Sequence, residues 1–433
     1  MLRFNENNEV ITEERYSAIL VGLMTGPETE RSMDELEGLA QAAGVTVLAH
    51  MTQSAERPST ATYIGSGKIE ELSQAVKNME ADTVIFNNEL TGMQIRNIEE
   101  AVGVRVIDRT ILILDIFASR AVSREGKLQV ELAQLRYRLP RLTGFGKSLS
   151  RLGGGIGTRG PGEKKLETDR RHIERRINDI KAELAHVKST RSVQRSRRVK
   201  NEVPVVALVG YTNSGKSALM NRILSMTCRS GRDSKGVLEK DMLFATLDTH
   251  QRSIEPEKGK KFILTDTVGF VSGLPHSLIE AFKSTLEEVA YADLILHVVD
   301  ASYDDHDFHM RITDRVLDEI GAGGREKITV FNKIDLPHTD IFSAAWEDSV
   351  EVSAKSGENM DILLEMIQEK LFGRQIHVNL LVPYDRGDVV SYLIRETSVL
   401  KTEYREDGTY IEALVQSGDR ERFRKYETVQ DGI

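Results

Sequence analysis

The sequence contains a single cysteine, Cys228, and a single tryptophan among its 433 residues. One cysteine cannot form an internal disulfide bond or supply a thiolate zinc cluster. The sequence also has no run of about eighteen apolar residues, which a transmembrane helix needs, and residues 1–15 lack the apolar core of a secretory signal. We therefore expect a cytoplasmic protein with no membrane span, and we predict that it is a monomer.

Acidic residues outnumber basic ones, and the formal net charge is −9. The net charge alone argues weakly against nucleic-acid binding, but the charge is unevenly distributed along the chain. Residues 124–160 carry eight basic and two acidic side chains, and residues 163–200 carry thirteen basic and six acidic ones. Helical periodicity from Ile111 to Leu139, the glycine-rich segment 144–162 and the basic segment that follows predict two basic helices joined by a mobile loop.

Such a hairpin suits the phosphate backbone of irregular RNA, because a glycine-rich loop can adapt to its shape. A solvated hairpin whose charges only maintain solubility remains the alternative. The RNA-binding candidates are Lys147, Arg151, Arg159, Arg170 and Arg171.

Extended apolar segments alternate with amphipathic helical segments between residues 16 and 110. This alternation predicts an α/β domain with a mostly parallel sheet covered by helices. Residues 65–68 (GSGK) resemble part of a phosphate-binding loop, but Thr62 replaces the first glycine and Ile69 replaces the metal-binding hydroxyl. An ordinary strand-to-helix turn is the preferred interpretation, and a weak phosphate-binding role stays open.

Residues 210–217 (GYTNSGKS) follow the apolar run Val203–Val209 and fit the P-loop pattern G-x-x-x-x-G-K-[ST] at every required position. In such a loop, glycines let backbone N–H groups surround phosphate oxygens, and the lysine, here Lys216, reaches the β- and γ-phosphates. The Ser217 hydroxyl is placed to bind Mg²⁺. Helical spacing in residues 218–224 would put the phosphates at a helix N-terminus.

Further nucleotide motifs follow in the order expected of a switch GTPase. Residues 241–249 contain Thr246, whose hydroxyl and N–H suit Mg²⁺ and the γ-phosphate. Residues 266–269 (DTVG) come after a predicted β-hairpin, and they supply a carboxylate that holds Mg²⁺ through water and a glycine N–H for the γ-phosphate. Loss of that phosphate would release both segments, so the sequence predicts a GTP/GDP switch that uses Mg²⁺.

The N-K-x-D motif at residues 332–335 indicates which base is bound. The Asp335 carboxylate can accept hydrogen bonds from N1–H and the 2-amino group of guanine, whereas adenine has neither donor. Residues 353–355 (SAK) follow a short apolar strand and would close over the base O6. These motifs together predict a GTPase, and a metabolic P-loop kinase is disfavoured because no acceptor-substrate motif is visible.

Phe270 follows Gly269 at the position where many small GTPases carry a glutamine that orients the attacking water. A phenyl ring cannot form hydrogen bonds with water in that role. We therefore predict slow hydrolysis by the isolated protein, with the missing group supplied elsewhere in the chain, by a rearranged switch segment or by a partner.

Several motifs together resemble the HflX family of ribosome-associated P-loop GTPases, and the resemblance covers nearly the whole chain. They are residues 153–163 (GGGIGTRGPGE), 170–171 (RR), 244–248 (FATLD) and 266–270 (DTVGF). The resemblance implies binding to the large ribosomal subunit near the peptidyl transferase region, ribosome-stimulated GTP hydrolysis, and splitting or rescue of stalled ribosomes. It also implies that Thr246 binds Mg²⁺ together with Ser217. A GTP-regulated RNA-binding or RNA-remodelling protein is the alternative.

The predicted architecture is α/β, with an N-terminal α/β domain (1–118), a basic helical hairpin with a glycine-rich loop (119–200), a GTPase domain (201–372) and a small α+β C-terminal domain (373–433). Mg²⁺ is the predicted cofactor, GTP the substrate and GDP the product. The predicted nucleotide-binding residues are Gly210, Asn213, Ser214, Gly215, Lys216, Ser217, Phe244, Thr246, Asp266, Gly269, Asn332, Lys333, Asp335, Ser353, Ala354 and Lys355. The predicted catalytic residues are Lys216, Thr246 and Gly269. The predicted metal ligands are Ser217, Thr246 and, through water, Asp266.

Overall fold

A computed structural model shows two compact units. The residues that the structure describes are 3–4, 10–11, 16–24, 28–142, 161–200, 203–227, 250–256, 260–272, 286, 288–337, 348–373, 375–416 and 419–428. The first unit comprises Met1–Arg195, Lys240–Asp248 and Val268–Thr285. The second unit comprises Ser196–Glu239, Thr249–Thr267 and Leu286–Ile433. Most of the predicted glycine-rich loop therefore lies outside the described residues.

Strands and helices alternate along the first part of the chain, as predicted. The strands before residue 201 are β1 (Arg3–Phe4), β2 (Val10–Ile11), β3 (Ser17–Met24), β4 (Thr46–Ser54), β5 (Thr83–Phe86) and β6 (Arg105–Asp108). The helices before residue 201 are α1 (Glu28–Ala42), α2 (Ser66–Met79), α3 (Gly92–Val102), α4 (Arg109–Arg120), α5 (Arg124–Leu142) and α6 (Pro161–Lys200).

Four strands of the first unit form a parallel sheet in the order β4-β3-β5-β6. Strand β3 is buried along almost its whole length, as expected for a strand with neighbours on both sides and helices packed on the sheet. Ile19 and Val21 pack with Leu72 of α2 and Ile98 of α3 in one apolar cluster. The predicted parallel sheet covered by helices is confirmed.

A buried ion pair holds Ser272, three residues after the D-x-x-G motif, within the first unit. The Arg109 guanidinium pairs with the Glu35 carboxylate, and it also donates to the backbone and hydroxyl oxygens of Ser272, both at 3.1 Å. The Ser272 hydroxyl donates to Glu35 as well, and Asn87 accepts from Arg109 at 2.8 Å. A buried charge needs such partners, because leaving one unpaired in the interior is costly. The chain that follows the D-x-x-G motif is thus held by strong charge-assisted contacts.

Helices α5 and α6 form the predicted hairpin. Leu128 and Leu132 pack against Ile177 and Ile180. Across the pair, Arg176 donates to both oxygens of Glu131, at 2.7 and 2.8 Å. Helical spacing puts Leu128, Leu132, Leu135 and Leu139 on one face of α5, and this face is the packed one.

Three details of this helical region differ from the sequence prediction. Helical periodicity from Ile111 to Leu139 predicts a continuous helical segment, but the chain leaves helical geometry at residues 121–123. Pro140 is expected to end or kink the second helix, and that helix continues past it to Leu142. Since Pro140 lies in the last turn, the single backbone hydrogen bond that it removes is near an end where such bonds are already being lost. Helix α6 begins at Pro161, so residues 161–162 belong to a helix and not to the loop.

The second unit contains the P-loop, the N-K-x-D motif and a C-terminal sheet. Its strands are β7 (Val205–Val209), β8 (His250–Ile254), β9 (Phe262–Asp266), β10 (Leu294–Asp300), β11 (Lys327–Asn332), β12 (Ser349–Glu351), β13 (Gln375–Val382), β14 (Ser398–Arg405) and β15 (Gly408–Gln416). Its helices are α7 (Lys216–Thr227), α8 (His306–Glu319), α9 (Met360–Phe372), α10 (Gly387–Glu396) and α11 (Arg420–Phe423).

Six strands form one sheet in the order β12-β11-β10-β7-β9-β8. All neighbouring pairs are parallel except β8 with β9, which form the predicted antiparallel hairpin. Val206, Leu208, Leu296 and Val330 are fully buried in its core. Because the parallel strands end at one edge, the loops after β7, β9, β11 and β12 are brought together there.

The C-terminal sheet is antiparallel, in the order β13-β15-β14. Two alternating runs, residues 377–384 and 409–416, predict the strands β13 and β15, whereas the mixed segment between them gives no strand signal for β14. Strand β14 is rich in polar residues, and its pairing register shifts between Val399 and Lys401. This irregularity breaks the period-two pattern by which a strand is recognised. Among the described residues, no helix has the length and apolar character needed to cross a membrane.

His297 provides a test of the second unit's core. It lies in the central strand β10 with 1% of its surface exposed. Burial lowers the pKa of the imidazole, the cations of Lys327 and Lys216 lower it further, and Asp314 opposes them. The folded protein therefore binds fewer protons than the unfolded chain below the ordinary histidine pKa of about 6.5. Stability from this group is complete above that pH and is lost as the pH falls toward the folded-state pKa.

We expect the wild-type protein to lose about 1 kcal/mol more stability than His297→Gln between pH 7.5 and 5.5. For a domain of this size the difference corresponds to about 2–4 °C in the unfolding temperature. Thermal unfolding at the two pH values measures it. His172→Gln, at an exposed position of α6, is the matched control and should behave like wild type. If the unfolding temperatures of wild type and His297→Gln changed equally with pH, the lowered pKa of His297 would be contradicted.

Candidate nucleotide and metal site

The P-loop glycines occupy positions where no other residue fits. Gly210 has a φ of 148°, and a Cβ there would lie 2.1 Å from the carbonyl oxygen of Val298. Gly215 has a φ of 89°, and a Cβ there would lie 2.2 Å from the Asn332 side-chain nitrogen. Both the backbone angle and the close neighbour exclude a side chain. The loop can therefore bring its backbone N–H groups close to an anion.

Lys216 is the first residue of α7, and 7% of its surface is exposed. Its Nζ donates to the carbonyl oxygens of Gly210 and Tyr211, at 3.1 and 2.7 Å. Burial lowers the pKa of its ammonium to about 8, and the nearby Asp266 charge acts in the opposite direction. A phosphate beside Lys216 would supply the negative charge that favours the protonated form.

Two oxygen atoms come together between the second residue of α7, Ser217, and the last residue of β9, Asp266. The Ser217 hydroxyl donates to Asp266 Oδ2 at 2.7 Å, and Asp266 is fully buried. Hydroxyl and carboxylate oxygens are the ligand types that Mg²⁺ prefers. This pair therefore fits the predicted metal site, and Thr246, its third predicted member, lies outside the described residues.

The Asn332 side chain connects the P-loop to the loop after β12. Its Nδ2 donates to the Ser214 carbonyl at 2.9 Å, and its Oδ1 accepts from the Ala354 N–H at 3.0 Å. Asn332 is 2% exposed, so both hydrogen bonds are shielded from water. The two loops are thereby held in one arrangement.

Asp335 lies beside the residues 353–355, as the sequence predicted. Its Oδ1 accepts from the Ser353 hydroxyl at 2.7 Å, and Lys355 Nζ is 3.8 Å from Oδ2. The Asp335 side chain is 21% exposed, so it is open on one side. A carboxylate that is oriented on one side and open on the other can accept the paired donors of guanine.

Two sets of contacts in the site were not found from the sequence. Arg222 of α7 donates to the Ser356 carbonyl at 2.9 Å and so joins the helix after the P-loop to the base-side loop. Tyr211 stacks on His309, with ring centroids 3.7 Å apart, and Tyr303 stacks on the same histidine at 4.2 Å. No sequence motif marks either set of contacts. The aromatic side chain of Tyr211 inside the P-loop pattern is the one feature of the sequence from which the stacking could have been suspected.

The remaining predicted positions are distributed as follows. Phe244, Lys147, Arg151 and Arg159 lie outside the described residues, as does Thr246. Gly269 is buried, Asn213 is exposed with a φ of 60°, and Phe270 is 2% exposed. Lys333 has a φ of 72°, and its ammonium pairs with Asp300.

Arg170 and Arg171 are exposed on α6. Arg170 pairs with Glu174 at 2.9 Å and Arg171 with Glu167 at 3.2 Å, each one helical turn away. Exposed pairs of this kind contribute little to stability. Both arginines therefore remain accessible to a phosphate.

The glycine turn of residues 65–68 fits the ordinary interpretation. Gly65 N–H donates to the Gln53 side chain at 2.8 Å, and Lys68 pairs with Glu71 at 2.7 Å. The N–H of the helix cap and the lysine ammonium, which a phosphate would need, are thus engaged within the fold.

Family models match most of the chain. Their descriptions are GTP-binding GTPase N-terminal (residues 30–118), GTP-binding GTPase middle region (120–198), 50S ribosome-binding GTPase (205–333) and HflX C-terminal domain (342–422). The third match contains the P-loop, Asp266 and Asn332.

Curated relatives and a solved structure are also similar. The chain is 48% identical to GTPase HflX of Caldanaerobacter subterraneus subsp. tengcongensis, over 96% of this chain and 95% of that protein. It is 40% identical to GTPase HflX of Escherichia coli, over 90% of this chain and 91% of that protein. A GTP-binding protein from Sulfolobus solfataricus, solved in complex with GDP, is 25% identical, with 82% of this chain and 98% of that chain covered and a TM-score of 0.45.

The position of Asp335 leads to a test of base recognition. Asp335→Asn exchanges a carboxylate for an amide, which can donate to the 2-oxo group of xanthine but no longer accepts both guanine donors. We expect GDP affinity to fall by about 100-fold and the preference to shift toward xanthosine diphosphate. Isothermal titration with both nucleotides measures the ratio. Asp361→Asn, at an exposed residue of α9, is the control. Retained selectivity for guanine over xanthine in Asp335→Asn would refute the role.

Proposed function

Because the chain belongs to the HflX family of GTPases, we propose that it hydrolyses GTP on the large ribosomal subunit and uses the GTP/GDP switch to split or rescue stalled ribosomes. The observation that carries the proposal is the joint position of the P-loop, the Ser217–Asp266 pair and Asp335 at one edge of a parallel sheet. The match of residues 205–333 to a 50S ribosome-binding GTPase model supports the choice of partner. Because the proposed partner is the ribosome, we propose that the protein acts in the cytoplasm.

Each site residue has a proposed task in this reaction. Lys216 neutralises the β- and γ-phosphates, and the Gly269 N–H contacts the γ-phosphate. Ser217, Asp266 through water, and Thr246 would hold Mg²⁺, which would supply positive charge to offset the charge that develops on the phosphate oxygens. The N–H groups of residues 213–215 supply further donors, while Phe244 and the loop at 353–355 complete the nucleotide pocket.

The side chain of Phe270, directly after Gly269, cannot orient the attacking water. Phe270 has no hydrogen-bonding atoms in its side chain, and the ring is buried. A positioned group that orients water or stabilises the transition state contributes orders of magnitude to GTP hydrolysis. The isolated protein should therefore be slow, and ribosome binding should supply the missing group or rearrange the segment that carries it.

The hairpin of α5 and α6 is the proposed RNA-binding surface. Arg170 and Arg171 are exposed, and their glutamate partners form only surface pairs. Exchanging such a partner for an RNA phosphate is favourable, because each phosphate contact also releases a condensed counterion. Lys147, Arg151 and Arg159 are proposed to extend this surface along the glycine-rich segment.

GTP turnover with and without purified large subunits tests the proposal. We expect at least tenfold acceleration by large subunits, and appearance of free subunits when intact ribosomes are incubated with protein and a non-hydrolysable GTP analogue. Lys216→Ala should abolish tight GTP binding and serves as the inactive control. Unchanged turnover in the presence of large subunits would contradict the ribosomal function. Unwinding of free RNA without subunit separation would favour the alternative, an RNA-remodelling protein whose affinity GTP regulates.

The charge of α6 leads to a separate prediction. Arg170→Glu with Arg171→Glu should weaken co-sedimentation with large subunits about tenfold or more, because two phosphate contacts become repulsive. Affinity for GDP should be unchanged. The matched control is Arg311→Glu with Arg315→Glu, which changes the net charge equally at two exposed positions of α8. Normal co-sedimentation of the α6 variant would support the solvated-hairpin interpretation.

A further inference from the structure

Lys333 of the N-K-x-D motif forms an ion pair with a residue outside that motif. Its Nζ lies 2.7 Å from Oδ2 of Asp300, the last residue of β10. Asp300 is paired in the sheet with Asn332, the residue before Lys333. The Asp300 side chain is 17% exposed and the Lys333 side chain is 22% exposed, so this ion pair is partly shielded from water. Such a pair is stronger than one on an open surface.

Ser302 fixes the other half of the Asp300 carboxylate. Asp300 Oδ1 accepts from the Ser302 N–H at 3.0 Å and from its hydroxyl at 2.6 Å. Both carboxylate oxygens are therefore used, one by Lys333 and one by Ser302. This arrangement leaves Asp300 a single orientation.

The backbone of Lys333 also requires support. Its φ of 72° lies in the left-handed region, which a lysine rarely adopts. Such a conformation persists only when the surroundings determine it. The Lys333 ammonium is held by Asp300. The Lys333 backbone is held because it follows directly after the last residue of β11. The four-carbon chain between them is therefore held in place next to Asn332 and Asp335.

We propose that Asp300, braced by Ser302, is a positioning residue for guanine recognition that acts through Lys333. By fixing the ammonium, it keeps the lysine alkyl chain against the side of the pocket where the base would lie. This inference rests on the proposed function, in which residues 332–335 read guanine. Without the Asp300 carboxylate, the lysine would sample other rotamers, and each binding event would have to order it again.

Dissociation of a fluorescent GDP derivative from wild type, Asp300→Asn, Lys333→Met and the double variant tests the proposal. Asp300→Asn should release GDP roughly tenfold faster, because a charge-assisted contact is lost. In the Lys333→Met background the same change should have less than about a twofold effect, since its target is already absent. Ser302→Ala, a milder change, should fall between wild type and Asp300→Asn.

A second measurement separates positioning from a general structural role. Pyrophosphate lacks the base, so its affinity should be the same in wild type and Asp300→Asn, whereas damage to the P-loop would weaken it. Asp304→Asn, at an exposed residue nearby, is the matched control and should release GDP like wild type.

The proposal would be overturned if Asp300→Asn released GDP at the wild-type rate. It would also be overturned if the rate increases of the two single variants multiplied in the double variant, or if Asp300→Asn weakened the affinities for GDP and pyrophosphate equally. If Asp300→Asn does not fold, Ser302→Ala carries the same test with the same outcomes. Failure of guanine selectivity to depend on Asp335 would instead overturn the proposed function.

Discussion

The amide of Asn332 is the interaction on which the nucleotide site depends. It donates to the Ser214 carbonyl and accepts from the Ala354 N–H, so a single side chain sets the distance between the phosphate end and the base end of the site. An amide can do both at once because its oxygen and nitrogen point in different directions. Replacing it by a carboxylate or an alkyl group would leave at least one buried backbone group without a partner.

This connection also explains why Gly215 must be a glycine. A Cβ at this position would lie only 2.2 Å from the Asn332 side-chain nitrogen. Gly210 faces a comparable restriction from the Val298 carbonyl, which belongs to the neighbouring strand β10. The glycines of the P-loop pattern therefore satisfy the packing of this particular sheet in addition to making room for phosphates. The motif and the strand order constrain each other.

Much of this arrangement could be predicted from the sequence. Gly210, Lys216, Asp266 and Asp335 belong to motifs with fixed spacing that lie at or beyond the ends of apolar strands. The parallel sheet of the first unit was predicted from its alternating strands and helices. Roles for these residues rest on geometry and family membership, and they stay proposals.

Other features could not be predicted, because they depend on contacts between distant residues without a repeating pattern. The Arg222 contact with the Ser356 carbonyl spans 134 positions. The Glu35, Arg109 and Ser272 network spans up to 237 positions, and serine and glutamate are too common to indicate it. Strand β14 was missed for a different reason, since its bulge removes the alternation that marks a strand. Local periodicity therefore predicts elements, while long-range polar contacts require the fold.

The two proposed binding surfaces use positive charge in different ways, and net charge predicts neither. Lys216 is buried, and its pKa is lowered by that burial, so one phosphate beside it gains from a strong interaction in a medium of low polarity. Arg170 is exposed and already paired with Glu174, so its exchange for an RNA phosphate gains mainly from the release of a counterion, and the gain for a single arginine is small. A nucleotide site can therefore depend on one lysine, whereas an RNA surface needs many arginines acting together. The concentration of basic residues in 124–200 of an otherwise acidic chain is what that requirement predicts.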